Sequence, residues 1–145
     1  MLFLGATLLG TKPAVPRRTE GDCPLNHARL QRAIATGNPL LVRAAAAELP
    51  RVGLEDALAI CLVLLHSEPE RYEPGAVRWA GRFLLERRCR SLKDAEAVAA
   101  NLAALRHPRT ARLAALELSE LCRDSGLARA AALLETRSQQ RRSGA

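Results

Sequence analysis

The residues of this chain with the most reactive side chains are three histidines, four cysteines and a group of glutamates, and their spacing withholds most of that chemistry. His27, His66 and His107 stand far apart in the sequence. Cys23, Cys61, Cys89 and Cys122 form no CxxC pair. Structural zinc needs ligands a few residues apart, so that one turn delivers two of them. The cysteines therefore read as reduced, mostly buried thiols, and no metal is expected. Glu68, Glu70 and Glu73 could do acid–base work as paired carboxylates, but a charged stretch between helices is expected to be solvated. Glu55 and Asp56 open a helix, where acidic side chains favour the dipole. Spacing points to no Ser-His-Asp or Cys-His arrangement, and there is no glycine-rich phosphate loop. The expectation is a protein with no catalytic residues and no cofactor.

What remains is a cluster suited to binding. Three of the four aromatics fall between Tyr72 and Phe83, beside Arg78 and Arg82. Trp79 and Phe83 are four apart and share one helix face, and Arg78 and Arg82 form the adjacent stripe. A Trp flanked by Arg on an outer face has the composition of an interface hot spot. Tyr72, Arg78, Trp79, Arg82 and Phe83 are thus the candidate partner-binding residues. The competing reading is that the aromatics fill gaps between packed helices, as large aromatics commonly do.

The elements that would carry this cluster are repeated. Proline, two residues, a small aliphatic, arginine, any residue and alanine recur at Pro39–Ala45, Pro74–Ala80 and Pro108–Ala114. The copies start 35 and then 34 residues apart (39 to 74, 74 to 108). A fixed period of this length marks stacked supersecondary units. Each proline suits the first position of a helix, where its missing N–H costs nothing. Asn38 is placed to cap the first copy, and Ser91 with Asp94 resembles a capping box. Val42, Ala45, Ala46 and Leu49 follow i, i+3, i+4, i+7 spacing and read as the packed face. The corresponding sets are Val77, Ala80, Gly81, Leu84 and Ala111, Ala114, Ala115, Leu118. The run Ala59–Leu65 is apolar on every side and predicts the most buried helix. The repeated Arg43, Arg78 and Arg112 read as a ladder to carboxylates or helix ends of neighbouring repeats.

The fold class read from this pattern is all-α, with about seven helices: a leading helix and three antiparallel helix pairs stacked as a short solenoid. Residues 1–22 read as a flexible leader, 23–137 as the helical repeat domain, and 138–145 as a disordered basic tail. Residues 67–73 read as a charged loop. The run Pro39–Gly53, with Val42-Arg43, Leu49 and Gly53, resembles a HEAT/armadillo-like helical repeat. The period is shorter than the roughly 40–47 residues usual there. A TPR unit would match the period but lacks its Trp, Gly and Tyr positions here, and a compact bundle stays open. The resemblance implies a small α-solenoid that holds a protein partner or, less often, nucleic acid.

Composition bounds the remaining choices. Hydrophobic residues make up 48% and aromatics 3%, so the core must be built from Leu, Ala and Val. The net charge is +7, and every basic residue except Lys12 and Lys93 is Arg. With so much Ala, this reads as codon bias, which weakens the arginine count as a sign of nucleic acid. The apolar start Met1–Leu9 is about half a membrane span and lacks a basic flank. The functional expectation is a cytoplasmic, non-catalytic protein-interaction or adaptor module with no membrane association. The alternative is a nucleic-acid-binding helical repeat using Arg71, Arg78, Arg82, Arg87, Arg88, Arg90, Arg106, Arg109 and Arg112.

Overall fold

Pro24, Pro39 and Pro69 start helices and Asn38 and Ser91 cap two, but of the three repeated prolines only Pro39 opens a helix: Pro74 lies inside one and Pro108 in the turn ahead of another. The computed structural model describes residues 23–87 and 91–143, and within them there are seven helices and no strand. In order they are α1 (Pro24–Thr36), α2 (Pro39–Ala47), α3 (Leu54–Ser67), α4 (Pro69–Glu86), α5 (Leu92–Ala104), α6 (Ala111–Asp124) and α7 (Ala128–Ser143). Asn38 accepts a hydrogen bond from the Leu40 amide at 3.0 Å, and Ser91 accepts one from the Lys93 amide at 3.1 Å. Gly37, at φ 68°, turns the chain out of α1 through the left-handed region. The expected leader, Arg88, Cys89 and Arg90 lie outside the described residues.

Helices pack in neighbouring pairs: α1 on α2, α3 on α4, α5 on α6 and α6 on α7. Ala114, Ala115, Ala130 and Ala131 join one core where α6 meets α7. Side chains this small let helix axes approach near the low end of about 8–10 Å. Helix α3 is central, as its all-round apolarity predicts. Leu54, Leu58, Cys61 and Leu62 belong to the main core, while Ile60 and Val63 pack on a smaller core of Leu30, Ala33, Val42, Ala45 and Leu49. It also touches α7, so helices far apart in the chain meet.

Several expectations need correction. The stretch 67–73 is not a loop: α4 begins at Pro69 and carries Pro74 in its interior. Its inner face is Tyr72, Ala76, Trp79 and Phe83, whereas Val77 is 66% exposed and Gly81 is exposed. The middle helix is thus rotated by about one residue from the packed face that the repeats imply, which leaves Ala80 and Leu84 of that face partly buried at the edge of the core. The cause is area, since a buried aromatic removes about 150–250 Å² from water, more than Val or Ala can. The basic tail is not disordered through residue 143 either. Helix α7 continues to Ser143, and Ser138 is buried.

Tyr72, Trp79 and Phe83 are each 1% exposed, so they are core and not a contact surface. Trp79 stacks on Phe83 with ring centroids 5.0 Å apart, and its Nε1 donates to the Leu54 carbonyl at 2.8 Å. The Tyr72 hydroxyl donates to the Leu102 carbonyl at 2.7 Å. That carbonyl lies in the last turn of α5, where helical donors run out. No helix among the described residues is long and apolar enough to cross a membrane.

Candidate functional site

Helices α1 and α7 both lie against α3 but not against each other. An opening is left between them, floored by α3. The floor is Ala59, Leu62, Val63, His66 and Ser67, and one wall is Leu133, Thr136, Arg137, Gln140 and Arg141 of α7. Both sets follow i, i+3, i+4, i+7, i+8, which puts each on a single helix face. Ile34 and Gly37 at the end of α1 complete a groove of about 520 Å³. Its size falls among ordinary ligand sites of roughly 300–1,000 Å³.

One end of this arrangement is tied shut. Asp56, 5% exposed, accepts from Gln31 Nε2 of α1 at 2.6 Å and from Arg129 of α7 at 3.4 Å. His27 Nδ1 stands 3.8 Å from the same carboxylate. Beside it, Glu55 accepts from the Arg129 backbone amide at 2.9 Å and from Arg129 Nε at 2.8 Å. Burial disfavours ionised Glu55, but the Arg129 hydrogen bonds and charge outweigh it and hold the carboxyl below its ordinary value. Glu55 and Asp56 therefore do more than favour a helix dipole: they bind three helices together.

The other end is cationic. Arg137 is partly buried, and its Nε is buried without a hydrogen-bond acceptor among the described residues. No carboxylate lies within ion-pair distance of it there. Burial, and then the charge of Arg141 one turn on, push the guanidinium below its ordinary value. Arginine nevertheless stays charged at neutral pH. No Asp or Glu among the described residues lines the groove. Sequence reading missed this site because it ended the helical domain at residue 137 and placed Arg141 in a disordered tail. The recoverable signal was the spacing of Leu133, Arg137 and Arg141, which continues one helical face.

The residues singled out from sequence do not assemble into a surface. Tyr72, Trp79 and Phe83 point inward, while Arg78 is exposed and Arg82 pairs with Glu86 at 3.1 Å. Elsewhere cations and carboxylates are interleaved: Arg29 with Glu48, Arg51 with Glu86, Arg71 with Glu68, Arg106 with Glu73, and Arg123 with Glu135. Of the repeated arginines, Arg43 reaches Glu68 at 3.8 Å, whereas no carboxylate among the described residues reaches Arg78 or Arg112. Glu68 and Glu73 are thus ion-pair partners of arginine. Burial pushes the Cys61 thiol up to about 11; burial, and then Glu55, push Cys122 up to about 12, so neither is a ready nucleophile. Among the described residues no three His, Cys, Asp or Glu side chains gather to hold a metal. No protein-family model, curated protein or solved structure matches the chain.

Proposed function

We propose that this chain is a non-catalytic, HEAT-like interaction module that holds a partner protein in the groove between α1, α3 and α7. The observation that carries this reading is the groove itself: a floor with apolar Ala59, Leu62 and Val63 beside a guanidinium that has no counter-ion among the described residues. An unpaired charge in a partly buried position is costly, and a partner that supplies the missing group recovers that cost. In an open solenoid each repeat touches only its neighbours. Here the contact of α3 with α7 rolls the stack up and creates the groove that an open stack would lack. The buried, unreactive thiols of Cys61 and Cys122 fit a reducing, cytoplasmic setting.

The interleaving of arginine with glutamate favours a protein partner over nucleic acid. Arg71, Arg82 and Arg106, three of the cations that would grip phosphates, are already paired. Stacking on single-stranded bases needs exposed aromatic faces, and Tyr72, Trp79 and Phe83 are buried. The test is a random-peptide selection on the full chain, run beside oligonucleotide anisotropy at low and high salt. An enriched peptide family displaced by Val63→Asp in the groove is expected. No enriched peptide, together with oligonucleotide binding that falls steeply with salt, would sink the proposal in favour of nucleic acid.

A further inference from the structure

We infer that the groove selects an acidic, aliphatic segment of its partner, with a carboxylate seated between Arg137 and Arg141 and aliphatic side chains laid along the α3 floor. The inference rests on the groove being the contact surface, as proposed above.

Three observations on different residues converge on this chemistry. The first is the floor. From Ala59 to Ser67, α3 advances about 12 Å, a length that three or four extended residues cover at about 3.3 Å each. The side chains of its first half are Ala59, Leu62 and Val63, with Ile34 and Leu133 facing in, so about two residues of the segment are aliphatic, while His66 and Ser67 make the half toward Arg141 polar. The second is the wall. Arg137 and Arg141 are four apart on α7, both line the groove, and neither has a carboxylate partner among the described residues. A guanidinium offers a planar fork that pairs two donors with two carboxylate oxygens. The buried Nε of Arg137 already lacks an acceptor, so an incoming carboxylate removes an existing penalty as well as adding a bond. The third is the asymmetry. The opposite end is closed by Asp56, whose carboxylate is taken by Gln31 and Arg129 and repels a second acid. The anionic residue of the partner must therefore sit at the Arg137 end and its aliphatic residues toward Asp56. The chain's +7 charge steers acidic partners toward it in the same sense.

The peptides enriched on the full chain provide the probe. One synthetic member is compared with a counterpart in which each carboxylate is replaced by its amide. Both are titrated against the wild-type chain, Arg137→Gln and Arg141→Gln. The expected result is an acidic-aliphatic consensus. The amide counterpart should bind roughly tenfold or more weakly, and Arg137→Gln should cost a similar factor for the acidic peptide but little for the amide. Arg137→Gln should melt no lower than wild type, because it removes a partly desolvated charge that has no partner among the described residues. Arg141 is exposed, so Arg141→Gln tests the same contact without disturbing packing and should weaken the acidic peptide severalfold. A consensus without acidic residues, or equal affinity of Arg137→Gln for both peptides, overturns the inference and leaves the interaction reading standing. A lower melting temperature for Arg137→Gln with unchanged binding assigns Arg137 to holding α7 on α3, which also overturns it. Selection of no peptide at all ends both.

Discussion

Trp79 is the only tryptophan, and its burial decides what its loss must do. Its ring stacks on Phe83 and its Nε1 holds the Leu54 carbonyl. Trp79→Ala should therefore lower unfolding stability by about 3–5 kcal/mol in urea titration. A variant that kept wild-type stability would show instead that the ring packs on nothing. Tyr72→Phe removes one donor from the Leu102 carbonyl and should cost about 1–2 kcal/mol in the same titration. Glu55 gives stability a pH dependence. Its folded-state ionisation lies below the ordinary value of 4.5, so its pairing with Arg129 stabilises fully above that pH. The contribution is lost as pH falls through the lowered folded value, because the unfolded chain takes up the proton first. Urea midpoints measured from neutral pH downward should fall more steeply below about pH 4.5 in wild type than in Arg129→Gln. At this scale the aromatic cluster was legible as special but not as buried. A single sequence shows that Trp79 and Phe83 share a face, and only the neighbouring helices decide which way that face turns.

The error at Trp79 is one of helix phase, and it belongs to α4 as a whole. Aligning the three proline–arginine copies makes Val77, Ala80, Gly81 and Leu84 the inner face, and the outer copies obey that rule. Val42, Ala45 and Leu49 are buried, as are Ala111, Ala114, Ala115 and Leu118. In the middle copy three aromatics outweigh the pattern and turn the helix by one residue. Gly81 separates the two phases experimentally. A Cβ built there meets no atom within 4 Å. Gly81→Ala should then raise stability by about 1 kcal/mol, the ordinary gain for Ala over Gly inside a helix. In the phase implied by the repeats the same methyl would press on a packed neighbour and lower stability. Melting of the single variant distinguishes the two. Starts and stops were more legible than phase, because Asn38, Ser91, Pro39 and Gly37 act locally, through their own backbone and capping chemistry. The extension of α7 to Ser143 was not, since its last turns, Gln139–Ser143, are polar and carry no apolar period to read.

At the scale of the molecule, the period of 34–35 residues fixes a stack of helix pairs but is silent on whether that stack stays open. Closure depends on contacts far apart in sequence. Arg129 reaches back to Glu55 and Asp56, and Gln31 meets the same Asp56 from α1. These bonds are invisible to any local pattern, because each partner alone looks like a solvated charge. Their consequence is cooperativity. An open repeat array loses its end units first, since each is held by one neighbour. Here the last helix is bound both to α6 and to the central α3, and α3 carries part of both cores. Fluorescence of Trp79, which reports where α4 packs against α3, should change at the same urea concentration as helix content reports for the whole chain. Arg129→Gln removes the guanidinium bonds of α7 to Glu55 and Asp56, keeping the backbone amide bond to Glu55 and the packing on α6. That variant should lose helix content ahead of the Trp79 signal, as α7 with its groove wall frays before the centre unfolds. Coincident transitions in the variant would place the cooperativity in apolar packing alone. The groove would then be an opening held by hydrophobic contact, with the Asp56 clasp an addition to it.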